Sequence, residues 1–208
     1  MLFRSIKDEN GDYVLSQLRG FIPNPVSLLE ITDRTIDERV LSTYYLEFTP
    51  ISDLKFRINA GVDRKFRKRS AYLPKTTLYG KNANGDASIR QYDDRDYLWE
   101  TTVNYSKKFN RHNLNLLAGH SYQIFNSEGF SAGNKDFVTD SYLYNNLGAG
   151  EFSKPTVNSW ANISSMASIF GRINYSYLDR YLLTMTLRAD GASNLASGHQ
   201  WGYFPSIA

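Results

Sequence analysis

Residues 40–67 alternate between apolar and polar side chains on both sides of a short turn at residues 50–53. The second run carries the apolar set Leu54, Phe56, Ile58, Ala60, Val62 and Phe66, and the polar set Lys55, Arg57, Asn59, Asp63, Lys65 and Arg67. A period of two is typical of a β-strand with one apolar face and one hydrated face. At about 3.3 Å per residue this strand reaches about 40 Å, roughly twice the usual length, which favours a strand that crosses a bilayer.

The same alternation recurs in two further hairpins. Turns at residues 109–112 and 178–180 each lie between two alternating runs, and residues 201–208 alternate like the start of another strand. The chain therefore predicts an all-β, antiparallel arrangement of about six to seven strands. The polar face of the last hairpin carries Arg172, Asn174, Thr186, Arg188 and Asp190.

Long connections separate these hairpins, at about residues 68–96 and 126–165. Compact soluble domains rarely need structureless connections above about 15 residues. Short turns that alternate with long loops are typical of transmembrane β-barrels, whose periplasmic turns are short and whose external loops are long. We therefore predict a segment of an antiparallel, up-and-down transmembrane β-barrel. Five aromatic residues fall in the long connections: Tyr72, Tyr79, Tyr92, Tyr97 and Trp160.

Composition is compatible with this fold and limits the function. The mean hydropathy of −0.46 is expected of a barrel, because only alternate strand residues face lipid. No run of about 18 apolar residues is present, which excludes a transmembrane helix. The net charge of +3 is too small to indicate nucleic-acid binding. Cysteine is absent, which excludes a disulfide framework.

Two surface patterns each have two interpretations. Many aromatic residues lie near the predicted strand ends, as in the aromatic girdle of a barrel, although ordinary β-propensity also places them there. The basic cluster at residues 64–69 faces lipopolysaccharide or the lumen, or it is a hydrated strand end.

No catalytic, metal or cofactor site is indicated. His112, His120 and His199 are scattered without the spacing of metal ligands, and no serine lies in a G-x-S-x-G motif. The aspartates within residues 93–96 have the oxygen ligands that calcium prefers, but a solvated acidic loop is the simpler interpretation. We predict no catalytic residue, no metal and no cofactor.

The ends of the chain suggest an incomplete barrel. Residues 1–5 lack the apolar segment of a secretory signal peptide, so we expect an upstream start or a fragment. About six or seven strands alone would also leave unpaired backbone groups at two open edges in hydrocarbon.

Several sequence blocks resemble a known family. Residues 170–194 read FGRINYSYLDRYLLTMTLRADGASN, and residues 201–208 read WGYFPSIA. These blocks strongly resemble the SusC/RagA family of TonB-linked outer-membrane transporters of Bacteroidetes. Shorter blocks, such as HNLN at 112–115 and NNLGAG at 145–150, are similar to it as well, and the resemblance runs from about residue 23 to residue 208.

The resemblance implies a barrel of about 22 strands with an N-terminal plug inside it. Residues 1–208 would form part of that barrel, without the plug domain, the signal peptide and the remaining strands. The family imports oligosaccharides or peptides across the bacterial outer membrane, with energy that the TonB complex transmits through the plug region. The implied partners are a SusD-like surface lipoprotein and outer-membrane lipids, with no nucleic acid and no enzymatic activity.

Two residue sets have roles on this interpretation. Polar-face residues line the lumen, where they contact solute or, in a simpler role, dock the plug and hydrate the lumen: Lys55, Arg57, Asn59, Arg172, Asn174, Thr186, Arg188 and Asp190. The five loop aromatics are candidates for substrate binding, because flat rings stack on sugar faces. Contact with the lid lipoprotein or packing of the loops is their alternative role.

Two other classes of protein remain as alternatives. An outer-membrane barrel enzyme needs a catalytic serine or paired carboxylates near the outer rim, and the sequence offers no persuasive set. A soluble carbohydrate-binding β-sandwich predicts shorter strands and a core sealed by both sheets.

Overall fold

Seven strands form one antiparallel sheet, in which each strand pairs with the next along the chain. The structure, a computed structural model, describes residues 6–9, 11, 13–15 and 22–208. The strands are β1 (Thr32–Ile51), β2 (Leu54–Leu73), β3 (Asp86–Phe109), β4 (His112–Lys135), β5 (Thr156–Tyr177), β6 (Tyr181–Ala192) and β7 (Trp201–Ile207). The prediction of six to seven antiparallel strands is confirmed. The expectation about a signal peptide at residues 1–5 lies outside the described residues.

Short helical segments complete the described secondary structure. The helix α1 covers Leu78–Lys81, and two 3-10 helices cover Pro25–Glu30 and Leu147–Ala149. Among the described helices, none combines the length and the apolar character needed to cross a membrane.

The strands extend further than predicted, so the connections are shorter. β2 continues to Leu73 and β3 begins at Asp86, which leaves only residues 74–85 between them. Residues 136–155 connect β4 to β5 in the same way. The prediction of structureless connections at 68–96 and 126–165 is therefore wrong. The alternation of apolar and polar residues ends before the strand pairing ends. The sequence pattern therefore predicts strands that are too short.

Two of the three predicted turns contain residues in the left-handed backbone conformation. Asn110 has a φ of 51°, and Leu178 and Asp179 have φ values of 56° and 53°. The Asn84-Gly85 pair, with φ values of 50° and 91°, forms a turn in the connection between β2 and β3. Asparagine and glycine adopt this conformation at low cost, whereas Leu178 is an uncommon occupant.

The register of β5 and β6 pairs polar side chains with polar ones and apolar side chains with apolar ones. Arg172 lies opposite Thr186, and Asn174 lies opposite Thr184. On the other face the apolar partners are Ile169 with Ala189, Ile173 with Met185 and Tyr175 with Leu183. Because successive side chains of a strand point to opposite faces, this register gives the hairpin one polar face and one apolar face.

Contacts divide the chain into two compact units. The hairpin unit contains residues 39–65, 94–127 and 162–208, with the three short turns. The loop unit contains residues 1–38, 66–93 and 128–161, with both long connections. The apolar face of the hairpin unit is exposed: Leu46 is 67%, Ile169 58% and Leu187 57% exposed. Exposed apolar surface of this extent indicates a partner, either protein or lipid.

The loop unit contains a small buried core. Among the described residues, the buried apolar side chains are Tyr72, Ala87 and Phe137. The Tyr72 and Phe137 rings meet edge to face, with centroids 5.6 Å apart. The Tyr72 hydroxyl donates a hydrogen bond to Asp140 at 2.6 Å. Tyr72 was predicted to contact substrate, but it is fully buried, so its ring has no surface available to a ligand.

We expect Phe137→Ala in the full-length protein to loosen the connection between β4 and β5. Truncating a fully buried phenylalanine costs about 3–5 kcal/mol, and Phe137 is only 1% exposed. Limited proteolysis of intact outer membranes should show faster cleavage within residues 136–155. Val138→Ala is the matched control, because Val138 is 93% exposed and its truncation leaves no cavity. Equal cleavage of the two variants would contradict the packing role of Phe137.

Candidate ligand-binding face

The first predicted lumen-lining group forms a linked polar surface in the hairpin unit. Lys55 Nζ lies 3.1 Å from the carboxylate of Glu47. Arg57 donates a hydrogen bond to Asn59 at 2.9 Å, and Asn59 donates one to Glu100 at 2.9 Å. These contacts link five polar side chains on one side of the sheet. Exposed pairs of this kind contribute little stability, so their main effect is to fix side-chain positions.

The second predicted lumen-lining group is also brought together. Arg188 donates to Asp190 at 2.7 Å and to the Ser168 hydroxyl at 3.1 Å. Its guanidinium lies over the Phe170 ring, 5.6 Å from the centroid. The β5–β6 register adds the pairs Arg172 with Thr186 and Asn174 with Thr184 to the same face.

Acidic residues of β1 neutralise part of the basic cluster at residues 64–69. In the loop unit, Arg67 approaches Asp37 at 2.5 Å and Arg69 approaches Asp33 at 2.5 Å. Both pairs are exposed to solvent, so they contribute little to stability. At these positions the cluster is an ion-pair ladder between two strands, not an open basic patch.

Four of the five predicted substrate-binding aromatics lie in strands rather than in loops. Tyr72 lies in β2, Tyr92 and Tyr97 lie in β3, and Trp160 lies in β5. The prediction that these four residues belong to irregular connections is wrong, because β2, β3 and β5 extend further than their apolar pattern. Tyr79 lies in α1, within the connection between β2 and β3, and is 54% exposed.

The structure brings two of these aromatics together in the loop unit. The Tyr92 and Trp160 rings are 6.4 Å apart and tilted by 50°. They lie in a pocket of about 310 Å³, which we call the aromatic pocket. Its lining residues are Arg90, Tyr92, Phe130, Ser131, Asn158 and Trp160. Sequence analysis missed Arg90, Ser131 and Asn158, although Arg90 is two positions from Tyr92 and Asn158 is two positions from Trp160, the spacing that places residues on one face of a strand.

Gly129 leaves the space that the Trp160 ring occupies in this pocket. A Cβ atom at Gly129 would lie 2.3 Å from the indole nitrogen of Trp160, so only glycine leaves room for the ring. The hairpin unit repeats the arrangement, with the Phe170 ring over Gly119 and the Trp201 ring over Gly191. We call each combination a glycine socket. These sockets fix large rings against a neighbouring strand.

A second cavity adjoins the aromatic pocket and shares Arg90 with it. This charged pocket has a volume of about 440 Å³. Its charged lining residues are Asp33, Arg69, Asp86, Arg90, Lys135 and Lys154. Lys135 lies 3.4 Å from Asp86, and Lys154 lies 2.7 Å from Asp136. With the Arg69–Asp33 pair, three of the four cations that line this pocket have an acidic partner.

Asp136 ties the two connections of the loop unit together. Asn84 donates to its carboxylate at 2.6 Å, and Lys154 donates at 2.7 Å. The Asp136 backbone N–H also donates to the carbonyl of Ala83 at 2.9 Å. These hydrogen bonds, that of Asn84 first and that of Lys154 second, lower the pKa of Asp136 below its usual value.

The acidic residues within 93–96 lie in β3 rather than in a loop. The interpretation as a solvated acidic loop is therefore wrong about their backbone. Asp94 accepts a hydrogen bond from the Ser127 hydroxyl. Among the residues that the structure describes, no group of three histidine, cysteine, aspartate or glutamate side chains is arranged to hold a metal ion.

Comparisons with known proteins identify the family. No protein-family model matches the chain. The TonB-dependent receptor P3 of Formosa agariphila is 34% identical over 207 residues, which cover 98% of this chain and 20% of that protein. The TonB-dependent receptor SusC of Bacteroides thetaiotaomicron is 34% identical over 210 residues, which cover 96% of this chain and 19% of that protein. The chain belongs to the SusC-like TonB-dependent receptors.

A solved structure agrees with this SusC-like assignment at the level of the fold. The RagAB peptide transporter superposes with a TM-score of 0.84 at 22% identity, over 95% of this chain and 23% of that one. The seven-stranded sheet therefore matches a segment of a TonB-dependent receptor barrel. The SusC-like chain spans about a fifth of the length of the curated relatives that it matches.

We expect Gly129→Ala in the full-length SusC-like receptor to displace the Trp160 indole. The added methyl group overlaps the ring, and overpacking of this kind costs about 1–3 kcal/mol. An electron cryo-microscopy structure of the variant should show Trp160 in a different rotamer and a changed aromatic pocket. Gly171→Ala is the control, since the nearest atom to its new Cβ is a carbonyl oxygen at 3.6 Å. An unmoved indole in Gly129→Ala would refute the glycine socket.

The contacts of Asp136 should make the loop unit sensitive to acid. Because folding lowers the pKa of Asp136, its stabilising effect is present above the unfolded value of about 3.9 and is lost as the pH falls through the lower folded value. Hydrogen exchange at residues 83–85 should accelerate below about pH 4. Asp136→Asn should remove much of this pH dependence, because the amide does not titrate. The same acceleration in both proteins would assign the effect to another carboxylate.

Proposed function

We propose that this chain forms part of the wall of an outer-membrane TonB-dependent importer, in a barrel of about 22 strands. The observation that carries this proposal is the match to named receptors over nearly the whole chain, at 34% identity. The two faces of the sheet support it independently. A barrel wall needs an apolar face toward lipid and a polar face toward the lumen.

The exposed apolar face favours a membrane over a soluble core. A soluble β-sandwich buries one face of each sheet against the other. In this chain, many large apolar side chains of the hairpin unit are exposed, with Phe48 at 62% and Leu187 at 57%. Among the described residues, the buried apolar cluster is limited to the loop unit, at Tyr72, Ala87 and Phe137. Hydrocarbon is the environment that suits such a face.

The polar face is the proposed lumen side. Several of its side chains donate or accept hydrogen bonds across neighbouring strands, as in the Asn59–Glu100 contact at 2.9 Å and the Arg188–Ser168 contact at 3.1 Å. We assign these residues to docking of the plug and to hydration of the lumen. The lumen-lining set is Lys55, Arg57, Asn59, Arg172, Asn174, Thr186, Arg188 and Asp190.

The cargo and the partners follow from the family. The importer takes up oligosaccharides or peptides, with a SusD-like surface lipoprotein over its mouth and a TonB complex that acts through the plug. Tyr92 and Trp160 are the best-placed ligand contacts, because both rings line one pocket and remain 38% and 43% exposed. Tyr79 is exposed and is a second candidate. Tyr97 lies three positions from Glu100 in β3, so its ring is on the face opposite to the Asn59–Glu100 contact.

Single-cysteine labelling of the full-length receptor in outer membranes tests the face assignment. This chain has no cysteine, so each introduced thiol is unique within it. Cysteines at Phe56, Ile58 and Ala60 should react with a lipid-soluble maleimide and resist a charged one. Cysteines at Lys55, Arg57 and Asn59 are the matched controls and should show the opposite preference. The reverse pattern would contradict the barrel proposal.

Uptake measurements test the transport activity itself. Cells that carry the intact receptor should accumulate labelled oligosaccharides or peptides, and deletion of the TonB complex should abolish this accumulation. Uptake that persists without TonB would refute energy-coupled import while leaving the face assignment intact.

A further inference from the structure

Arg90 is a cation without a partner at the junction of two pockets. It lines both the aromatic pocket and the charged pocket. Within the described part of the chain, Arg90 makes no hydrogen bond, ion pair or ring contact. Its side chain is exposed, so the five N–H donors of its guanidinium are available to a ligand.

Arg90 carries the one positive charge of the charged pocket that has no acidic partner among the described residues. The other three cations of the charged pocket each have an acidic partner: Arg69 with Asp33 at 2.5 Å, Lys135 with Asp86 at 3.4 Å and Lys154 with Asp136 at 2.7 Å. No described acidic side chain approaches Arg90 within ion-pair distance. The positive charge of Arg90 is therefore available to attract an anion. A planar guanidinium matches the two oxygens of a carboxylate or a sulfate.

The other walls of the aromatic pocket suit a sugar ring. Trp160 and Tyr92 present partly exposed rings tilted by 50°, and such rings pack against the apolar faces of sugars. Ser131 and Asn158 add a hydroxyl group and an amide group that can bond sugar hydroxyls. The Gly129 socket fixes the Trp160 ring, so the site has a rigid platform.

A sugar fits this location better than a peptide does. The aromatic pocket is lined from β3, β4 and β5, which are consecutive strands inside the sheet. Their backbone groups are used in pairing, so no free strand edge is present there for an extended peptide to join. A ligand at this site therefore contacts side chains and not backbone groups. Contacts of this kind, ring stacking and an arginine, suit a charged sugar.

We propose that Arg90 binds the carboxylate or sulfate of an acidic sugar whose ring stacks against Trp160 or Tyr92. The imported ligand is accordingly an anionic oligosaccharide. This inference rests on the proposed import function and names its substrate class. Arg90 contacts the charged substituent, and the aromatic pair selects the ring that carries it.

The test is a binding measurement on the purified full-length receptor with its surface partner. The probes are pairs of oligosaccharides that differ only in charge: oligogalacturonates against their methyl esters, and sulfated galactans against the desulfated forms. A glutamate-rich peptide forms a third arm. We expect at least one acidic probe to bind more tightly than its neutral counterpart, with an affinity that falls as salt rises. The two oligosaccharide pairs distinguish carboxylate from sulfate as the recognised group.

Variants assign the charge preference to Arg90. Arg90→Gln should weaken binding of the acidic probe by about tenfold to a hundredfold, because a hydrogen bond to a charged group is lost. It should leave the neutral counterpart unchanged. Arg90→Lys should fall between the two, since it keeps the charge and loses the planar fork. Arg34→Gln is the matched control, because Arg34 is an exposed arginine in β1 that lines neither pocket.

Several results would overturn the inference. Equal affinity for acidic and neutral probes, binding of the peptide alone or binding of none of the probes would each do so. An Arg90→Gln variant that retains the full charge preference would also do so. Uptake measurements distinguish failure of this inference from failure of the proposed import function. TonB-dependent uptake of neutral sugars or peptides would refute only the role of Arg90. Uptake that does not depend on TonB would refute the import function.

Discussion

The hydrogen-bonded ladder between neighbouring strands decides which side chains of this protein share a face. In β5 and β6 the ladder places Arg172 opposite Thr186 and Ile173 opposite Met185, so polar and apolar partners stay separate along the hairpin. A shift by one residue would exchange the two faces and place arginine on the apolar one. The polar contacts, the exposed apolar side chains and the glycine sockets all presuppose this register.

The two units use the same sheet for different purposes. In the hairpin unit, alternation is regular and the apolar face has no protein covering among the described residues, as the 58% exposure of Ile169 illustrates. In the loop unit, the polar face carries two pockets, and a compact cluster around Tyr72 and Phe137 packs the connections. The proposed barrel wall accounts for this change of chemistry along single strands, because the strands of such barrels run from the hydrocarbon into the external loops.

The sequence predicted the regular part of this architecture well. Period-two patterning in residues 54–67 identifies a long two-faced strand, and left-handed residues such as Asn110 lie at the predicted turns. The strand ends were missed, because beyond the apolar stretch both faces carry polar residues and the alternation disappears while backbone pairing continues. The partnership of Tyr92 with Trp160, and the position of Arg90 beside them, depends on which strands are neighbours and on their register. A single sequence does not contain that information.

The glycine sockets have a consequence for how such a receptor diversifies. Gly129 and Trp160 depend on each other, because any Cβ atom at position 129 would occupy the volume of the Trp160 indole. Mutation at either site alone leaves a clash or a void, so descendants of this chain should exchange both positions jointly or neither. The pocket wall would then change shape and charge first through Arg90, Ser131 and Asn158, which line the same pocket and lie outside the socket.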